Sequence, residues 1–217
     1  GYRAYSAEQV ALLRSYARLI AAGDRIGDLV ARPVEEVLAL AEGRDLDHSP
    51  HGAMLDAVKA YDRDRLEALV AQQLSLRGLR GFAQDVALPL GQAVGDLWAL
   101  GKLPVSAEHL ASEVVVHALK GGLRLNRSSG PLAIAAGLPG ERHEWGILSA
   151  LTLAQEQGWR LQYLGPDLPL DDMLEAAWRL RPMVIALSVS SPGLAGHRLG
   201  ELGALSSRLP PGASLAI

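Results

Sequence analysis

Seven consecutive residues, Gly140-Glu141-Arg142-His143-Glu144-Trp145-Gly146, bring together the types needed to hold a metal against a broad ligand. A neutral imidazole such as that of His143 is a good metal donor. A carboxylate two residues away, Glu141, can fix the imidazole's tautomer and raise its basicity. Gly146 carries no side chain and lets something large approach the backbone closely. On these residues alone, a solvated histidine in a loop is an equal alternative.

A second constellation lies earlier. Trp98 stands nine residues before the adjacent pair Glu108-His109. An aromatic ending one helix and an acid–imidazole pair on the next can face a common space. Taken singly, Trp98 reads as a core aromatic and Glu108 and His109 as a solvated helix face.

The elements around these residues decide where they can act. Before the first constellation runs an apolar stretch, Pro131-Leu132-Ala133-Ile134-Ala135-Ala136-Gly137. After it come Ile147, Leu148, Ala150, Leu151 and Leu153 at helical spacing. A buried strand thus reaches a Gly/Pro loop that enters a helix, and in an open α/β sheet the carboxyl ends of the strands are where ligands bind. From residue 129 onward, strands are expected at 131–137, 159–164, 183–189 and 213–217. They alternate with helices at 143–157, 170–180 and 196–208, the pattern of a parallel Rossmann-like sheet.

The pattern before residue 129 is helical. Ser6, with Gln9 three residues on, reads as a capping box for a helix reaching Gly23. Two shorter helices follow, over 24–31 and from Pro33 to about residue 42. The charged stretch 44–50 reads as a linker. Four helices are then expected at about 51–60, 62–77, 79–100 and 105–127, with Asp62 and Ser106 as caps and Gly78 as a break, and short connections make these a four-helix bundle. Pro89 should kink the third or mark a break in it. Lys120-Gly121-Gly122 follows a helix and reads as its end, and Arg127-Ser128-Ser129-Gly130 as a second linker. Arg63, Arg65, Arg77 and Arg80 read as solvated faces. The divisions are therefore 1–45, 46–128 and 129–217, in an α/β protein with a helical amino-terminal segment.

Composition narrows the chemistry. Apolar residues make up 49% of the 217, enough for real cores. The net charge of -3 argues against a surface that binds nucleic acid as a whole. The absence of cysteine excludes disulfides, thiolate metal sites and thioether-linked chromophores. No apolar run has the length of a membrane span, so a cytoplasmic protein is expected.

Trp98, nine residues, then Glu108-His109 resembles the bundle motif of the CarH/LitR family of cobalamin-dependent, light-responsive MerR-type transcription regulators. Glu141-Arg142-His143-Glu144-Trp145-Gly146 resembles that family's E-x-H-x-x-G cobalamin motif. Ser188-Val189-Ser190 is similar to its serine segment, Leu164-Gly165-Pro166-Asp167 to its second-strand loop, and residues 1–6 to the end of a MerR wing. The resemblance covers essentially the whole chain. It implies a photosensory module rather than an enzyme, with adenosylcobalamin as cofactor and His143 as the lower ligand to cobalt. It also implies Glu141 as that ligand's partner, and Gly146, Ser188 and Ser190 along the cofactor's nucleotide tail. Trp98, Glu108 and His109 would cover the adenosyl group. The implied partners are other copies of the chain and operator DNA, and no membrane.

Three departures bear on that picture. The family's histidine after the motif tryptophan, which can reach the upper cobalt position after light, is here Ala99. His109 or His117 would have to replace it. The DNA-reading helix-turn-helix is absent from this chain, and the Gly-Gly loop expected after the fourth strand would lie beyond Ile217, so the domain is expected to continue. Three alternatives follow: a photoreceptor of the same architecture using cobalamin with a non-covalently held bilin, a corrinoid methyl carrier of a methyltransferase system, and a degenerate sensor that has lost its cofactor.

Overall fold

The computed structural model describes residues 6–21, 24–48, 51–124, 128–190 and 192–217. Two compact units emerge, one formed by Gly1–Leu76 with Pro89–Val114, the other by Arg77–Leu88 with Val115–Ile217.

In the first unit, α1 (Ala7–Ala21) opens with the expected capping box. The Ser6 amide donates to Gln9 Oε1 at 2.9 Å, and the Gln9 amide to Ser6 Oγ at 3.2 Å. Two orphan donors of the first turn are thereby satisfied. Helices α2 (Ile26–Val30) and α3 (Val34–His48) follow, and Leu19, Leu29, Val37 and Ala41 pack into one cluster. The linker expected over 44–50 is corrected: α3 continues through His48, since charge alone does not break a helix and its Arg, Asp and Leu are all tolerated there. Ser49 and Pro50 lie outside the described residues, as do Arg127 and, of the wing-like end, residues 1–5.

Next come α4 (Gly52–Lys59), α5 (Arg63–Phe82), α6 (Leu88–Ala99) and α7 (Val105–Arg124). Asp62 caps α5 as expected, its Oδ1 accepting from the Arg65 amide at 3.0 Å. Gly78, at φ 68 and ψ 176, interrupts α5, a conformation that only glycine adopts readily. Pro89 marks a break in the expected third helix, whose regular turns resume only at Leu88. A π-helical turn over Ala83–Ala87 precedes it, in which the Leu88 amide reaches back to the Ala83 carbonyl. The wider turn takes up the missing donor and the ring that would otherwise crowd the previous turn.

Ser106 is not the cap of α7. The helix begins one residue earlier, the Pro104 carbonyl accepts from the Ala107 amide at 3.0 Å, and the Ser106 hydroxyl instead meets the Tyr61 hydroxyl at 2.6 Å. Lys120-Gly121-Gly122 lies in the final turns of α7, which reaches Arg124. A Cβ on Gly122 would lie 2.5 Å from Leu79 Cδ1, so the glycine permits a close approach of two helices in the second unit.

The second unit holds four parallel strands, β1 (Leu132–Gly137), β2 (Arg160–Tyr163), β3 (Val184–Ser188) and β4 (Ser214–Ala216), in the order β2-β1-β3-β4. Helices α8 (Trp145–Glu156), α9 (Leu170–Leu180) and α10 (Pro192–Ser207) alternate with them. The last begins earlier than the expected residue 196, with Pro192 at the first helical position, where its fixed φ suits the start. β1 is buried along its whole length, as a central parallel strand covered on both faces must be. Leu132, Ile134, Ala136, Met173, Ile185 and Leu205 belong to its core.

The strand order reverses between β1 and β3, and in an open α/β sheet ligands bind at the carboxyl ends of the strands beside such a switch point. Gly137 ends β1 opposite Ser188 of β3. A Cβ on Gly137 would meet the Glu141 carbonyl oxygen at 2.8 Å and Pro166 Cα at 3.1 Å. No side chain fits where the two loops close over the strand end. Among the described residues no helix is long and apolar enough to cross a membrane.

Candidate functional site

The loop after β1 is held rigidly before it reaches His143. The Glu141 amide donates to Leu138 O at 2.7 Å, and the Leu138 amide to Ser188 O at 3.0 Å. From the loop after β2, the Asp167 amide donates to Glu141 O at 2.9 Å, while Asp167 Oδ1 accepts from the Gly140 amide at 2.6 Å. Asp167 takes a left-handed backbone, φ 52, to do both.

Glu141 is the centre of the site. Its side chain is only 1% exposed. Oε1 accepts from the His143 amide at 2.8 Å and lies 2.7 Å from His143 Nδ1. Oε2 accepts from the Ser190 amide and from the Ser190 hydroxyl, the latter at 2.7 Å. Burial by itself would raise the carboxyl's pKa. The hydrogen bonds from Ser190 and His143 outweigh it and hold Glu141 below the usual carboxylate range. An ionised carboxylate accepts only, so His143 Nδ1 carries the proton in this pair.

That assignment settles what His143 offers. Its side chain is 74% exposed. With Nδ1 protonated toward Glu141, Nε2 keeps its lone pair and is the atom available to a metal. Ser190 Oγ lies 3.1 Å from the same Nδ1, so the loops after β1 and β3 meet at one atom of the ring. A Cβ built on Gly146, at the start of α8, would meet no protein atom within 4 Å. The residues of this unit therefore fit a large, flat metal-bearing cofactor: one fixed imidazole, a bare glycine three residues on and the Ser190 hydroxyl at the ring. A single imidazole suits a metal whose remaining positions the cofactor itself supplies.

The predicted site residues fall into two groups. Glu141, His143 and Ser190 are directly bonded in the second unit. Gly146 follows on α8, and Ser188, half-buried, contributes its backbone carbonyl to the loop. Trp98, Glu108 and His109 belong to the first unit. Trp98 is 52% exposed at the end of α6, unlike a core aromatic. Glu108 Oε2 lies 3.1 Å from His109 Nδ1, and Glu108 Oε1 accepts from the Ser112 hydroxyl at 2.7 Å. Ala99, the last residue of α6, and His117 on α7 are both exposed.

Sequence reasoning missed a cluster next to His143. Glu144, Lys120 and Tyr163 converge in the second unit, Lys120 Nζ lying 2.6 Å from Glu144 Oε2 and 5.4 Å from the centre of the Tyr163 ring. Burial, and then the Glu144 carboxylate, push the Tyr163 phenol above its ordinary pKa. The one signal in the sequence was Lys120 itself, set among glycines on a helix that packs closely.

Residues 52–120 match the family described as B12 binding domain. The chain is 33% identical, over 228 aligned positions, to the HTH-type transcriptional repressor CarH of Myxococcus xanthus, covering 98% of this chain and 75% of that protein. To the HTH-type transcriptional repressor CarA of the same organism it is 28% identical, over 86% of this chain and 63% of that protein. Among solved structures, the monomethylamine corrinoid protein of Methanosarcina barkeri is similar at a TM-score of 0.55, with 17% identity, over 75% of this chain and 80% of that one. At that identity the likeness is one of fold.

Proposed function

Since this chain belongs to the CarH/LitR family of cobalamin-binding transcription regulators, we propose that it is the photosensory module of such a regulator, with His143 as the lower ligand to cobalt. The observation that carries the reading is the Glu141–His143–Ser190 cluster at the switch point of the sheet, which fixes an imidazole with Nε2 open to solvent.

In this proposal the dark cofactor is adenosylcobalamin, which when bound supplies a cobalt–carbon bond that light cleaves. The protein binds, orients and responds. Glu141 holds the tautomer of His143. Gly146, Ser188 and Ser190 border the nucleotide tail. Trp98, Glu108 and His109 cover the adenosyl group, consistent with the exposure of the Trp98 ring. Loss of the adenosyl group changes the relative stability of two arrangements of the protein, and a ligand shifts such an equilibrium only by its differential affinity. Assembly into a homo-oligomer in the dark, and its change in light, couple the sensor to operator DNA through a helix-turn-helix outside this chain.

Absorption spectra and light scattering of the purified protein, dark and after green light, test this. Cobalt–carbon bands that bleach together with a change in assembly support it. A cobalamin spectrum unaltered by light, with constant assembly, sinks the sensor reading and leaves the methyl carrier. Additional red-absorbing bands would instead indicate a bilin held without a thioether.

The upper face has its own test. Trp98→Ala is expected to weaken adenosylcobalamin binding more than hydroxocobalamin binding, because only the former fills the space over the corrin. Equal effects on titration of both forms would remove Trp98 from the upper face. Ala99 carries no donor atom, so no imidazole from that position holds the illuminated state. Ala99→His is expected to convert the illuminated spectrum to a bis-imidazole type and to slow recovery on adding fresh adenosylcobalamin. A bis-imidazole spectrum already in the parent would point to His109 or His117 instead.

A further inference from the structure

Glu141 and Ser190 hold His143 from one side. The other side of the turn is held by residues that the cobalamin motif does not include. Glu144 immediately follows His143 and stands at the start of α8, its carbonyl accepting from the Leu148 amide at 3.0 Å. Its carboxylate is only 15% exposed, and Lys120 Nζ faces it at 2.6 Å. Tyr163 ends β2, paired with Ala135 of β1, and its ring covers the ammonium. Neither the Tyr163 hydroxyl nor Glu144 Oε2, both shielded from solvent, makes a hydrogen bond of normal geometry among the described residues, so Lys120 meets Glu144 as a close charge pair. Three elements, α7, β2 and the start of α8, therefore converge one residue from the proposed metal ligand.

We propose that Lys120 is a positioning residue for His143. By pairing with Glu144 under the cover of Tyr163, it fixes the turn into α8 and so the direction in which Nε2 points. The inference rests on His143 being the lower ligand. A carboxylate at a helix start is favoured by the helix dipole, but that effect alone is small. A shielded carboxylate that loses its cation is a strongly unfavourable group, because little water reaches it to replace the partner. Without Lys120, Glu144 must turn toward solvent, and it moves the first turn of α8 with it. His143, tied to Glu141 through one ring nitrogen, then loses its fixed heading while keeping its tautomer. Tyr163 contributes by excluding water from the pair, and its phenol stays protonated beside the carboxylate.

The test uses the whole chain with hydroxocobalamin. The parent, Lys120→Met, Lys120→Arg, the double variant Lys120→Met/Glu144→Gln and His143→Ala are compared by affinity, by visible spectrum and by the nitrogen splitting of the reduced cob(II)alamin in electron paramagnetic resonance. Lys120→Met is expected to bind about tenfold more weakly or worse, the range typical of residues that orient a metal ligand. Part of its bound cobalamin should lack the imidazole splitting, and Lys120→Arg should restore it. The double variant removes both charges, so it avoids an unpaired carboxylate and should fold even where Lys120→Met does not. It should show the same spectral defect. Parent-like affinity and splitting in Lys120→Met or in the double variant, whatever happens to the unfolding temperature, would overturn the inference while leaving His143 in place. A parent that takes up no cobalamin, or a His143→Ala protein with the parent's spectrum, overturns the underlying reading and the inference together.

Discussion

His143→Ala is expected to lower cobalamin affinity by more than about 100-fold, above the 10- to 100-fold that loss of an orienting partner typically costs. Any cofactor that still binds should retain its own base on cobalt, with a matching change in the visible spectrum. The fold should survive, because the imidazole is 74% exposed and buries almost nothing. Glu141 would lose only the Nδ1 donor of the ring, and would keep both bonds from Ser190 and the one from the backbone amide of residue 143. Thermal unfolding without cofactor should therefore stay close to the parent's, while the stabilisation that added cobalamin gives should disappear. Unchanged affinity and an unchanged cobalt spectrum would refute the assignment of His143.

Much of this site was legible because its residues are close in sequence and sit beside strong punctuation. The apolar run ending at Gly137 marks a strand end whatever the tertiary context, and the Gly/Pro loop and helical period after it mark the turn that carries His143. The parallel sheet was legible for the same reason. What was not legible depends on contacts between segments. Ser190 was expected along the nucleotide tail, whereas its amide and hydroxyl also donate to Glu141, a contact created by the reversal of strand order between β1 and β3. Lys120, Glu144 and Tyr163 meet from three elements, and no periodicity within one element announces such a meeting. The stretch 44–50 failed for a different reason: charge suggested a linker, but the residues of its first part carry no helix-breaking backbone. Pro89 was legible as a break in its helix, but the form of that break, a π-helical turn just before it, was not.

Glu141→Gln is expected to be as damaging as a much larger change, although it replaces a single heavy atom. Every partner of the Glu141 carboxylate is a donor: the His143 amide, His143 Nδ1, the Ser190 amide and the Ser190 hydroxyl. A carboxamide accepts at one end only. Its NH2 must face either the His143 pair or the Ser190 pair, and in each pair one donor is a backbone N–H that cannot reverse. With the side chain 1% exposed, water cannot stand in. Each buried donor left unsatisfied costs about 1–3 kcal/mol, so the unfolding temperature of the cofactor-free protein should fall clearly. If the NH2 faces His143, the ring is driven toward the other tautomer, with the proton on Nε2, where it blocks the metal. If it faces Ser190, the loop after β3 is released and the ring loses its second neighbour. Both routes predict a loss of about 10- to 100-fold in cobalamin affinity. The contrast with His143→Ala is the diagnostic: that change removes the ligand and spares the fold, whereas Glu141→Gln spares the ligand and weakens the fold around it. Glu141→Asp keeps four acceptor sites on a shorter arm, and should fall between the parent and Glu141→Gln in both titration and thermal unfolding. A Glu141→Gln protein that matches the parent in both measurements would mean that the carboxylate is not the acceptor of all four bonds, and that the tautomer of His143 is fixed by something else.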